Sequence, residues 1–343
     1  MTLTDILGTD LPIIQAPMAG VQESALAIAV SHAGGLGSLP TALLAPDALP
    51  DQLTRLGNGT SRPFNVNYFC HAPPPPGAER VAAWKARLTP YYDEFGIDPS
   101  TIPDGSGRES FDPTDVELLR QFKPRVVSFH FGLPPAELLA PIKAWGGLVL
   151  SSATTVAEAL WLEAHGADLI VAQGAEAGGH RGMFLTEDLT TQVGTFALVP
   201  QIARRVRVPV IAAGGIADAA GVAAAMKLGA AGVQVGTAWL LCPESTTGPL
   251  HRAALLSEAA PHTALTNVLT GRPARGIVNR VIRELGPMNP AVPPFPLPAP
   301  ALYPLRIAAE RRGSTDFSPL WTGQNPTGCR EIPAGALLRQ LAG

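Results

Sequence analysis

Cysteine, charge and basic residues are all scarce in this chain of 343 residues, and each shortage closes off a class of function. Three cysteines, Cys70, Cys242 and Cys329, are too few and too scattered for a disulfide framework or a CxxC metal site, which points to a reducing compartment. Only 15% of residues are charged, and the net charge of −3 gives no general attraction to nucleic acid or to an anionic membrane. The runs Arg204-Arg205-Val206-Arg207 and Arg311-Arg312 read as solvated helix ends. The amino-terminal MTLTDILGTDLPIIQ carries two aspartates and no lysine or arginine, unlike a secretory leader. The most apolar later region, Val208 to Met226, is broken by Gly214, Gly215, Asp218 and Gly221, so it reads as strand, turn and helix instead of a membrane span. No HxH or HExxH pattern occurs, and no metal is expected. These shortages together predict a cytoplasmic, metal-free protein.

Apolar residues, by contrast, are plentiful at 46%, enough for a large core. Short β-branched runs alternate with longer Ala/Leu-rich segments, the signature of βα units on a parallel sheet. Strands are predicted at 12–18, 35–39, 64–69, 126–131, 147–152, 169–173, 208–214 and 232–237. Eight strands with intervening helices make an α/β fold, a (β/α)8 TIM barrel. Thr155 and Glu158 have the spacing of a capping box, Asp218 is placed to cap the helix that runs to Leu228, and Gly166 and Gly229 end those helices.

Two stretches depart from the repeat. Residues 70–124 hold HAPPPPG and IDPSTIPDGSGRESFDPTD, an expected insertion of loops and helices with a polyproline start. After the barrel, 1–240, helices in 241–286 are expected to form a smaller lid domain, and 287–343 a C-terminal strap. Its run GPMNPAVPPFPLPAPALYP argues against regular helix or central strand.

In such a barrel the chemistry sits at the C-terminal ends of the strands. Gly214-Gly215 and Gly236-Thr237 put small residues and free N–H groups after the last two strands, a place suited to phosphate. Asn67, Gln173 and Gln234 offer amides to a planar heterocycle, although each can equally bond its own loop. His130 and His180 lie just past the fourth and sixth strands and can reach one ligand from one side, as base or as anion-binding group. Glu176 sits on the wrong side of Gly178-Gly179 to complete a triad, and Arg181 reads best as a solvated loop residue. His32, His71, His165, His251 and His262 lie on helices or loops and need no role.

The ordered segments IIQAPMAG, FNVNYF, VVSFHFG, AQGAEAGGHRG, VIAAGGI, VQVGTAWLLCPES and WTGQ resemble the class I nitronate monooxygenases, formerly called 2-nitropropane dioxygenases. That resemblance implies a flavoprotein of detoxification that binds FMN noncovalently and oxidises alkyl nitronates, propionate 3-nitronate among them, with O2 to a carbonyl compound and nitrite. By motif, the FMN would contact Met18, Asn67, Gln173, Gly178, Gly215, Gln234, Val235, Gly236 and Thr237. His180 and His130 would be catalytic, and Gln324 of WTGQ would line the substrate pocket. The alternative on the same barrel is an NAD(P)H-dependent flavin reductase of the enoyl-acyl carrier protein reductase or quinone reductase type. A homodimer is compatible with the chain but is not fixed by it.

Overall fold

The computed structural model describes residues 1–45, 47–74, 77–103 and 108–343. Part of the expected polyproline start, at 75–76, and part of the polar stretch, at 104–107, lie outside the described residues.

Eight parallel strands form one sheet: β1 (Ile13–Gln15), β2 (Gly37–Pro40), β3 (Phe64–Phe69), β4 (Val126–His130), β5 (Leu148–Ala153), β6 (Leu169–Gln173), then β8 (Val210–Ala213) and β9 (Gly232–Val235) after a short β7 (Gly179–His180) that belongs elsewhere. Each barrel strand pairs with its neighbour in sequence, and β9 returns to pair with β1. The ring closes between β1 and β2 through the parallel bridge Ile14–Leu36, where the N–H of Gln15 donates to Leu36 O and that of Leu36 donates to Ile13 O. All eight predicted strands are therefore present in a (β/α)8 barrel, Phe64–Phe69 and Leu169–Gln173 with the expected bounds and the others shifted by a few residues at their ends. Inward residues such as Ile14, Leu36, Val126, Leu150, Val171 and Ile211 fill the barrel floor, while Ile13, Ile170, Ala212 and Val233 face the helices.

Local chemistry follows the chain closely at the helix ends. The Asp218 carboxylate accepts the N–H of Gly221 at 2.8 Å, and Gly166 and Gly229 take φ of +99° and +101° just past their helices, a geometry that only glycine adopts at little cost. Only half of the capping box forms. Thr155 Oγ accepts the Glu158 N–H at 3.2 Å, but the Glu158 carboxylate instead takes the N–H and hydroxyl of Thr154, each at 2.7 Å, and the N–H of Phe184 at 2.7 Å. This fully buried carboxylate ties the β5 turn to the loop after β7.

A second apolar core lies over the barrel mouth. The helix Ala78–Phe95 of the insertion contributes Trp84, Leu88 and Tyr92, which pack against Val268, Val281, Leu302, Leu305 and Phe317 from the C-terminal third. Two expectations are corrected here. Residues 241–286 hold a hairpin as well as helices: β10 (Thr263–Thr266) and β11 (Ala274–Ile277) run antiparallel, and β11 also pairs with β7. The proline-rich run does enter a helix, Ala299–Arg311, because Pro300 falls in the first turn, where no N–H is needed, and burial of Leu302, Leu305 and Ala309 outweighs the one bond lost at Pro304.

Candidate active site

The C-terminal ends of all eight barrel strands open on one cavity of about 1400 Å³, its mouth included. Met18, Asn67, His130, Gln173, Gly178, His180, Gly215, Gln234, Gly236 and Thr237 all line it. Two residues named from the sequence do not. Val235 is buried in the core between barrel and helices, its carbonyl taken by the N–H groups of Ala16 and the Trp239 indole. Gln324 is exposed, and its backbone N–H donates to Glu176 O at 2.9 Å; its neighbours Trp321, Gly323 and Asn325 line the cavity instead. The motif was informative, but the residues within it that reach the cavity are Trp321 and Gly323.

His180 sits where the barrel meets the lid. Gly179 turns the chain with φ +72°, and Gly179–His180 then pairs with Arg275 and Ala274 of β11, so the imidazole is carried by a strand of the lid sheet. Four aromatic rings surround it, Phe295 at 5.5 Å between centroids, Trp321 at 5.6 Å, Phe131 at 5.9 Å and Phe69 at 6.0 Å. Burial in this chamber pushes its pKa well below the usual imidazole range, and the positive charges of Arg108 and Arg272, with His130 and His71, push it the same way. At neutral pH His180 is therefore an uncharged imidazole, able to accept a proton. Its Nε2 lies 2.9 Å from the Thr270 hydroxyl on the hairpin loop.

His130 is engaged at both nitrogens. Nε2 is 3.1 Å from His180 O, which can only accept, so this nitrogen carries the proton, and Nδ1 accepts from the Ser152 hydroxyl at 3.1 Å. Burial lowers its pKa to about 4, with Arg272 and Arg181 adding to the shift against the carbonyl contact. The Gln173 amide does the same work from the other side: its Nε2–H reaches His180 O at 2.9 Å and its Oε1 takes the Gly182 N–H at 2.7 Å. His130 and Gln173 thus hold the His180 backbone, and the Gln173 amide keeps a second N–H and a second lone pair beyond these two bonds.

Arg181 corrects the sequence reading outright, for it is 0% exposed. Its guanidinium donates to Gly174 O and Gln173 O, each at 2.6 Å, and to Gln192 Oε1 at 3.0 Å, and it retains its charge with a pKa near 10 despite burial. Nothing in GGHRG announces this, because the carbonyls it meets become its neighbours only when β6 ends beneath it.

The opposite wall is built from glycine. Gly214 and Gly215 have φ of +117° and +74°, and the N–H groups of Gly215, Gly236 and Thr237 meet no acceptor among the described residues. Beside them the Glu176 carboxylate accepts the N–H and hydroxyl of Thr195 at 2.8 Å, capping the helix Thr195–Ala203. The Gln234 amide has no partner among the described residues, and Asn67 spends its NH2 on Ser128 while its oxygen stays available to the cavity. Gly178 lies against the strap so closely that a Cβ there would come 2.6 Å from Gly323 N. No motif pointed to Arg108, which lines the cavity with its guanidinium 5.2 Å over Phe295, or to Arg272, 4.2 Å over Phe131. Among the described residues no group of three or more His, Cys, Asp or Glu is arranged to hold a metal, and no helix is long and apolar enough to cross a membrane.

Comparison with known proteins places these features in context. A family model described as nitronate monooxygenase matches residues 1–343. A nitronate monooxygenase of Pseudomonas aeruginosa is 45% identical over 98% of this chain and 97% of its own length. Among solved structures, a nitroalkane oxidase from Streptomyces ansochromogenes superposes with a TM-score of 0.90 at 39% identity, covering 99% of this chain and 96% of that one. FabK from Thermotoga maritima gives a TM-score of 0.72 at 29% identity, covering 99% and 94%.

Proposed function

This chain belongs to the nitronate monooxygenase family and is an oxidoreductase; on that footing we propose that it binds FMN at the glycine wall and oxidises alkyl nitronates with O2 to a carbonyl compound and nitrite. The observation that carries the reading is the His180 imidazole, ringed by Phe69, Phe131, Phe295 and Trp321 with the guanidinium groups of Arg108 and Arg272 against the same rings, in one cavity with the unengaged backbone donors of Gly215, Gly236 and Thr237.

The residues present fit the flavin. Its phosphate would be held by the N–H groups of Gly215, Gly236 and Thr237, which need an acceptor, and its ring edge by Gln234 and the Asn67 oxygen. Met18 and Gly178 would border the ring. FMN, when bound, supplies the electron acceptor for the nitronate; the protein supplies binding, orientation and charge.

A nitronate is an anion, and the field of Arg108 and Arg272 draws it toward His180. A nitronate needs no deprotonation. A neutral nitroalkane does: His180 then takes the α-proton, the C–H electron pair becomes part of a C=N bond, and the charge moves to the nitro oxygens. His130 and Gln173 act by fixing the His180 backbone and are positioning residues in this scheme. The segment 241–286 and the strap 287–343, joined by the insertion helix, would together serve as lid.

The test is turnover. FMN-loaded protein given propionate 3-nitronate or ethyl nitronate should consume O2 and release nitrite, and His180→Asn should lower kcat/KM for a neutral nitroalkane by at least about 100-fold. Unchanged turnover in both His180→Asn and His130→Asn would show that the site is misplaced.

A further inference from the structure

We propose that the strap segment 321–329 completes the phosphate half of the cofactor site, by tying the turns after β6, β8 and β9 to one another and by committing the Thr237 hydroxyl to donate into the cavity. Four bonds run from this segment to those turns. The Gln324 N–H donates to Glu176 O at 2.9 Å, the Gly323 N–H to Thr237 Oγ1 at 2.9 Å, the Asn325 amide to Gly215 O at 2.9 Å and the Cys329 thiol to Thr237 O at 3.1 Å. The Asn325 amide has one orientation open to it, because its Oδ1 accepts the Thr327 N–H at 3.3 Å and the Gly215 carbonyl needs the Nδ2 donor. Burial pushes the pKa of the Cys329 thiol up to about 12, so it keeps the proton it donates. The packing is as close as the bonding. A Cβ on Gly323 would lie 2.8 Å from Glu176 O, one on Gly178 2.6 Å from Gly323 N, and one on Gly328 2.5 Å from Ala217 O.

The direction of the Thr237 bond has a chemical consequence. A backbone N–H can only donate, so toward Gly323 the Thr237 hydroxyl oxygen is the acceptor, and its own proton is left for another group. No described residue takes that proton, and Thr237 lines the cavity together with Gly215, Gly236, Gly323 and Asn325. This wall has no cation to lend. Arg108 is the only arginine or lysine among the described residues lining the cavity, and it lies over Phe295, the ring that also packs on His180; the charged group beside the glycine turns is the Glu176 carboxylate. A phosphate there must be met by neutral donors, the N–H groups of Gly215, Gly236 and Thr237 and this hydroxyl, so its binding depends on how firmly the turns that carry them are held. This role for the strap rests on the reading of the cavity as a flavin site. Thr237 would touch the phosphate itself, whereas Gly323, Asn325 and Cys329 are positioning residues.

Flavin binding tests this without turnover. FMN, and riboflavin, which lacks the phosphate, are titrated by fluorescence into the full-length chain stripped of flavin, as wild type, Thr237→Val, Thr237→Ser and Asn325→Ala. Thr237→Val should weaken FMN binding about 10- to 100-fold, the weight of a hydrogen bond to a charged group, and Asn325→Ala about 2- to 10-fold, with Thr237→Ser close to wild type. Riboflavin affinity should change by less than about twofold in each variant. At saturating FMN, the phosphorus-31 resonance of the bound cofactor should move in Thr237→Val and Asn325→Ala while the visible absorbance of the ring stays as in wild type. An FMN affinity and phosphorus signal unmoved in both variants, or riboflavin weakened as much as FMN, overturns the strap's role. Where riboflavin binds too weakly to titrate, the phosphorus signal decides, and should Thr237→Val fail to fold, Asn325→Ala decides by the same readings. A wild type that binds no FMN refutes the flavin site and the strap's role with it, whereas FMN bound equally well by all four proteins refutes the strap's role alone.

Discussion

Replacing Arg181 with methionine should destabilise the protein by about 3–5 kcal/mol. The guanidinium is fully buried and satisfies two backbone carbonyls, Gln173 O and Gly174 O, as well as Gln192 Oε1. Methionine fills much of the volume but leaves Gln173 O and Gln192 Oε1 without a donor, at about 1–3 kcal/mol each, and Gly174 O with the Ala177 N–H alone. Release from the cost of burying a charge offsets part of the total. An unfolding entropy of about 2.1 cal/mol/K per residue, spread over this chain, converts the loss to a fall in Tm of about 4–7 °C. Thermal denaturation followed by circular dichroism measures it. Arg181→Lys should lie between, since an ammonium keeps the charge but cannot span two carbonyls and a side chain as a planar fork does. A Tm for Arg181→Met within about 1 °C of wild type would refute the reasoning, because it would mean that the end of β6 does not depend on this guanidinium.

Two further predictions follow from the same geometry. His130 is neutral in the folded protein with a pKa near 4 and titrates near 6.5 when unfolded, so below 6.5 the unfolded chain binds more protons: stability is full above that pH and is lost as pH falls toward 4. His71 and His251, also near 4, act in the same direction, and Asp115, lifted to about 6 by burial, opposes them. Urea unfolding at about pH 7 and pH 4.5 should show a net loss on acidification, smaller in His130→Asn by about 2–3 kcal/mol; an equal loss in both would contradict the buried neutral ring. Gly178→Ala forces a methyl group to 2.6 Å from Gly323 N and 2.7 Å from Thr322 C, displacing the strap that donates to Thr237 Oγ1. Flavin affinity, read by fluorescence titration, should fall about 5- to 100-fold with the fold intact, and an unchanged Kd would place the flavin away from this wall.

The barrel was legible because its signals are local. β-branched runs, an aspartate cap and glycines past helix ends each act within a few residues, and Leu169–Gln173 or Asp218 could be assigned from the chain alone. The hairpin at 263–277 was not, since its strands carry no strong alternation and form by pairing with one another and with Gly179–His180. The helix at 299–311 defied its prolines because packing, which sequence does not display, outweighs propensity. At the site, ten of the twelve residues named from the sequence line one cavity, since strand ends fix them there. The two exceptions, Val235 and Gln324, reflect the strand's alternation of faces and a strap whose exposed and inward residues are set by the barrel beneath it. Arg181, Thr270 and Phe295 were invisible for a shared reason: each owes its role to contacts from distant parts of the chain.

In the proposed reaction a nitronate, and not a nicotinamide, delivers electrons at this cavity. Anaerobic mixing of the FMN-loaded protein with ethyl nitronate, and separately with NADH and NADPH, tests it most directly through the visible absorbance of the flavin. Oxidised-flavin absorbance should fall rapidly with the nitronate and stay unchanged with either nucleotide; bleaching by NADH or NADPH with a nitronate inert would instead make the protein a flavin reductase.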